Sequence, residues 1–156
     1  MEPGNPALRR QLAEQMGLAF EAFGTPRMAG RVLGWMLLTE EEEVALEELA
    51  RDLGVSKASV SHATRLLEQM GVLRRVARPG TRQAFFALAE DPWTAMLALE
   101  ERVGKGFVRF AHEARSALAP HPRRDARLAE MEEAFALYLE LLTAFARRWK
   151  AQKEAS

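Results

Sequence analysis

At 156 residues with 48% apolar content, the chain is long enough to bury one substantial core, and its 22 basic and 22 acidic residues cancel, so bulk charge points to no particular partner. Cysteine is absent, which excludes both a disulfide framework and a thiol redox switch. No run of about 18 uncharged apolar residues and no cationic-then-apolar leader is present, so neither membrane insertion nor secretion is expected and the protein is placed in the cytoplasm.

Behind a flexible MEPGNP start, residues 7 to 23 put Leu8, Leu12, Met16, Ala19, Phe20 and Phe23 on one side of a helix. Thr25-Pro26 then reads as an N-cap followed by proline in the first turn, opening a helix that runs to about Leu38. That helix holds Gly30 and Gly34, four apart. Each costs about 1 kcal/mol relative to alanine in a helix interior, so a compensating close approach of another helix is expected there.

From Val44 to Gly54 the residues Val44, Leu46, Leu49, Ala50 and Leu53 recur at helical spacing, and Gly54 suits the left-handed conformation that ends a helix. Ser56 is placed to cap the next helix by accepting from one of its free amides. In that helix Val60, Ala63, Thr64, Leu67 and Met70 share one face, leaving Lys57, Ser59, Ser61, His62 and Arg65 largely on the other. The outward set consists of donors and small groups suited to phosphates and base edges. Two strand runs follow, Val72 to Arg78 and Gln83 to Ala89, joined by Pro79-Gly80 in the order a type II turn requires. A short helix, a tight linker, a second helix and a two-stranded wing make a winged helix-turn-helix, whose second helix enters the DNA major groove.

Charge is distributed to match. Between Gly54 and Arg82 stand six cations (Lys57, Arg65, Arg74, Arg75, Arg78, Arg82) and one anion, Glu68. Between Thr39 and Leu53 the balance reverses, with Arg51 alone against seven anions: Glu40, Glu41, Glu42, Glu43, Glu47, Glu48 and Asp52. Phosphate binding needs a local positive face, so the acidic block should lie away from DNA or pair with nearby arginines.

After Asp91-Pro92, a second cap-and-proline start, Trp93, Met96, Glu100, Val103, Phe107, Phe110, Ala114 and Ala117 are spaced by threes and fours. Pro120-His121-Pro122 ends that helix, and Leu128, Met131, Phe135, Tyr138, Leu142, Phe145 and Trp149 continue the alternation as a seam along a helix of about 40 Å. Two such seams imply a helical hairpin, and the apolar surface it would expose implies a homodimer formed along Leu128 to Trp149. The fold class expected is mainly α (α+β), in three parts: an N-terminal helix over 1–24 serving the core or the dimer, a DNA-binding domain over 25–90, and a dimerisation hairpin over 91–156.

Catalysis is not expected. The histidines His62, His112 and His121 lack metal-ligand spacing, no Gly-rich phosphate loop is present, and neither a metal nor a cofactor is implied. The rival from another class is a winged helix that binds protein rather than DNA and takes no effector.

The segments FGTPRMAGRVLGWMLLTEE and LARDLGVSKASVSHATRLLEQMGVLRR, with the wing after them, resemble the MarR-like winged-helix repressors and, more narrowly, the GbsR-type regulators. The resemblance covers roughly Met16 to Leu88. It implies a homodimer on a pseudo-palindromic operator of double-stranded DNA, with a small effector altering the fit. Ser56, Lys57, Ser59, Ser61, His62 and Arg65 are the expected DNA contacts of the helix, and the resemblance implies Arg75, Arg78 and Arg82 on the wing. The acidic residue that many MarR-type wings carry before their arginine is absent from ARPGTRQ, so the wing contacts transfer loosely. The effector is expected near Trp35, Phe107 and Phe110, where Gly30 and Gly34 permit close packing of the helix bearing Trp35 and the glycines flanking Lys105 could act as a hinge.

Overall fold

The computed structural model describes residues 5–155; the opening MEPG falls outside that range. Asn5 starts helix α1 (Pro6–Ala22) by accepting from the amides of Ala7 and Leu8 at 3.0 and 3.3 Å, with Pro6 in the first turn where its missing N–H costs nothing. Helix α2 (Arg27–Leu38) begins differently from the sequence expectation. Pro26, not Thr25, occupies the N-cap, and no side chain caps this end; the proline's fixed φ of −54° sets the entry instead.

Helices α1 and α2 pack through small residues on both sides. A Cβ on Gly30 would lie 2.5 Å from the Met16 carbonyl oxygen and 2.8 Å from Cα of Gly17, and one on Gly34 would lie 2.9 Å from Cα of Ala13. The close approach expected at this glycine pair is therefore made by α1. Its polar edge is closed by Glu14, which takes Arg31 Nε at 2.8 Å and Arg27 Nε at 2.6 Å, while Arg31 Nη2 donates to the Leu53 carbonyl at 3.0 Å. One arginine thus ties α1 and α2 to the end of the following helix.

Val44 and Ala45 form a short strand, β1 (Val44–Ala45), and not the first turn of a helix as their spacing suggests. They pair antiparallel with Phe86 and Phe85, a long-range contact that favours extended backbone at a β-branched residue. Helix α3 (Leu46–Leu53) then ends at Gly54, whose φ of 65° is the left-handed cap. Helix α4 (Lys57–Gln69) leads into β2 (Leu73–Val76), and β3 (Phe85–Leu88) returns beside it. The sheet order is β1-β3-β2, so the wing's second strand is central and its first is at an edge. Val32, Leu33, Leu49, Val60, Leu67, Val72 and Phe86 are each buried and fill the space between the helices and this sheet.

The chain divides into two compact units, the first ending at Pro92 and the second beginning at Trp93. The second consists of α5 (Pro92–Ala117) and α6 (Pro122–Glu154), the latter about 50 Å long at 1.5 Å per residue. They run antiparallel. Phe107 stacks on Phe135 with ring centroids 4.5 Å apart, Tyr138 donates to Glu100 at 2.6 Å, and Arg115 pairs with Glu132 at 2.9 Å. The hydrogen bond to the Glu100 carboxylate, which only the neutral phenol can donate, holds Tyr138 above its ordinary value, with burial and the carboxylate's charge adding to it. At the start of α6 the His121 amide donates to Asp125 at 2.9 Å and holds that carboxyl below the usual range. Among the described residues no helix is long and apolar enough to cross a membrane.

Candidate nucleic-acid interface

Helix α4 is presented by local chemistry at both ends. Ser56 accepts from the Ser59 amide at 3.1 Å, and its hydroxyl meets the Ser59 hydroxyl at 2.9 Å. This capping fixes where the helix begins, hence which side chains lead it. Val60, Ala63, Thr64 and Leu67 are buried against the rest of the first unit, and Thr64 satisfies its hydroxyl by donating to the Ser61 carbonyl at 3.2 Å. The opposite face leaves Lys57, Ala58, His62, Arg65 and Gln69 exposed, with Ser59 and Ser61 half-buried.

The structure thus brings together on one helix face Lys57, His62 and Arg65 from the expected set, while Ser56 and Ser59 also serve the cap. Ala58 and Gln69 join that face; they carry no charge and gave no sequence signal beyond their helical phase. On the wing, Gly80 has φ 82°, as the third position of a type II turn demands, and it holds Arg78 and Arg82 on either side of the tip. Arg75 is exposed on β2 opposite Phe86, and its neighbour Arg74, opposite Ala87, is exposed as well.

Four of the six cations between Gly54 and Arg82 have no carboxylate in ion-pair range among the described residues: Arg65, Arg74, Arg75 and Arg82. The other two are held by the acidic block. Lys57 Nζ lies 3.2 Å from Glu47 Oε1, and Arg78 Nη2 lies 2.8 Å from Glu43 Oε2. Arg78 also covers the Phe85 ring at 4.2 Å, a cation–π contact that restricts the guanidinium further. Gln83 Nε2 donates to the second oxygen of Glu47 at 2.7 Å. The Gln83 bond, with the help of Lys57, keeps the Glu47 carboxyl below its ordinary value. The stabilisation linked to this shift is present above the ordinary carboxylate value and is lost as pH falls through the lowered one.

The residues expected to form an effector site fall in separate units. Trp35 is buried in the core of the first. In the second, Phe107 stacks on Phe135, and Phe110 is 58% exposed. Gly104 is filled from α6, where a Cβ would meet Leu139 at 2.9 Å, whereas Gly106 faces open space. Along the expected dimer seam, Leu128, Met131, Phe135 and Trp149 are half-buried and Leu142 is buried, whereas Tyr138 and Phe145 are exposed. Leu137 and Leu141, which the seam did not include, are exposed as well.

Comparison with known proteins agrees with this geometry. Residues 31–77, from α2 through β2, match the family model described as the IclR helix-turn-helix domain. The HTH-type transcriptional regulator MmpR5 of Mycobacterium tuberculosis is 36% identical over 132 residues, which cover 83% of this chain and 79% of that protein. The crystal structure of a transcriptional regulator superposes with a TM-score of 0.79 at 32% identity, covering 92% of this chain and 98% of its own. Sco3205, a MarR family transcriptional regulator from Streptomyces coelicolor solved in complex with DNA, aligns over 83% of this chain and 78% of its own, at 20% identity and a TM-score of 0.43. On the identity and coverage shared with MmpR5, together with the helix-turn-helix and wing, the chain belongs to the DNA-binding HTH-type transcriptional regulators of winged-helix fold.

Proposed function

We propose that the protein is a sequence-specific repressor that binds a pseudo-palindromic operator as a homodimer, with α4 in the major groove and the wing on the flanking backbone. The observation that carries this reading is the capped helix α4, whose outward face bears Lys57, His62 and Arg65 and is continued by Arg75 and Arg82 of the wing, which meet no carboxylate among the described residues. Short donors on the helix suit base edges, while the long arginines at the wing suit phosphates or the minor groove.

Dimerisation is supported by the second unit. Leu137, Leu141 and Phe145 recur every four residues along α6 and are 59%, 65% and 56% exposed, an apolar row that a second copy would cover. Two-fold protein symmetry then calls for two-fold DNA, and repression follows from occupying a promoter at such a site.

Titration of fluorescent duplex from upstream of the protein's own gene, at several salt concentrations, tests the reading. In the Arg78→Ala plus Arg82→Ala variant, affinity for every duplex should fall together, and the slope of log K against log salt should flatten by roughly 1–2 units. Arg65→Ala should instead relax preference at one base position. Unchanged affinity and slope in the double wing variant would remove the wing from the interface.

A further inference from the structure

We propose that Glu43 and Glu47 are internal competitors of the DNA phosphates, occupying Arg78 and Lys57 in the free protein and thereby setting how tightly it holds DNA. The inference rests on the DNA-binding reading of this face. Its basis is selective pairing: of the cations that α4 and the wing present, only Lys57 and Arg78 meet carboxylates among the described residues. Glu47 has no oxygen left over, since Oε1 takes Lys57 at 3.2 Å and Oε2 takes Gln83 at 2.7 Å. Glu43 Oε2 takes two nitrogens of one guanidinium, Nε at 2.9 Å and Nη2 at 2.8 Å.

A carboxylate oxygen and a phosphate oxygen offer the same guanidinium the same kind of charge-assisted bond. A phosphate at these two positions therefore competes with a carboxylate already in place, whereas among the described residues Arg65, Arg75 and Arg82 have no carboxylate in ion-pair range. The exchange is feasible because both pairs are at the surface: the Arg78 and Lys57 side chains are 51% and 65% exposed, and such pairs are weak. It carries a penalty all the same. Once its cation has turned to a phosphate, each glutamate remains beside the DNA as a bare anion, which repels the backbone and gathers back counterions that the DNA releases. The contact then contributes less to affinity, and less to the salt slope, than an unpaired cation would. The alternative role for the glutamates is to hold the cations ready in the orientation DNA needs, and it predicts the opposite sign.

Full-length Glu43→Gln plus Glu47→Gln, titrated against a random-sequence duplex, separates the two. The expected result is binding about 3- to 10-fold tighter at low salt, with a steeper salt slope. A cycle keeps the test valid if the double variant folds poorly: Glu47→Gln alone should tighten binding, and the same change in a Lys57→Met background, where only the repulsion is relieved, should tighten it clearly less. Weaker binding in the glutamine variants would overturn the proposal in favour of positioning, and unchanged affinity and slope would overturn it outright. If the wild-type protein shows no salt-dependent binding to any duplex, the DNA-binding reading of this face fails and the proposal fails with it.

Discussion

Replacing Gly30 by valine is expected to cost the first unit about 3 kcal/mol, the upper part of the usual range for forcing carbon into a filled site. The branched side chain would begin 2.5 Å from the Met16 carbonyl and 2.8 Å from Cα of Gly17, both backbone atoms of α1 that cannot swing aside. Helix propensity would partly offset the clash, because valine is a better helix former than glycine by a few tenths of a kcal/mol. For a unit of this size the net loss corresponds to a fall in Tm of roughly 12–24 °C. Gly106→Ala is the matched control. That position meets nothing within 4 Å, so a gain in propensity of up to about 1 kcal/mol is unopposed and Tm should hold or rise slightly. Thermal unfolding followed by circular dichroism reads both, and an unchanged Tm in Gly30→Val would mean that α1 does not pack as described.

Breaking the proposed dimer carries the second large effect. Full-length Leu141→Asp plus Phe145→Asp puts two carboxylates into a row whose leucine and phenylalanine are 65% and 56% exposed in the single chain. Burying either native side chain at an interface contributes about 1.5–3 kcal/mol, and an unpaired buried carboxylate reverses that gain with a desolvation penalty. Light scattering at micromolar concentration should therefore report a monomer. Operator affinity should fall roughly 100-fold or more, because two linked half-site contacts become independent. Since both positions are solvent-facing in the isolated hairpin, the Phe107–Phe135 stack and the Arg115–Glu132 pair should survive, and helix content with them. A variant that remains dimeric would move the interface elsewhere.

Where local pattern decides structure, the sequence was sufficient. Gly54 and Gly80 do take positive φ, Ser56 does cap α4, and the Pro120-His121-Pro122 break does separate α5 from α6. Where distant chain decides, it was not. Val44 and Ala45 continue the helical spacing of α3, yet pairing with Phe86 and Phe85, some forty residues on, draws them into the sheet. The glycine pair in α2 announced a close helix, but its partner shows only in the matching notch of Ala13 and Gly17, four apart in α1. The acidic block was expected either to avoid DNA or to pair with arginines. Choosing between those needed the register that sets Glu43 beside Arg78, 35 residues away. Thr25 failed as a cap because Pro26, immediately after it, already fixes the backbone at the helix entrance.

Whether two copies of this capped helix and wing read a two-fold site, as proposed, is decided by selecting bound sequences from a random duplex pool with the full-length protein. The expected result is enrichment of an inverted repeat whose half-site centres lie about 10 base pairs apart, one helical turn or roughly 34–36 Å. A pool that stays random after repeated rounds, or that converges on a single motif without two-fold repetition, would contradict it.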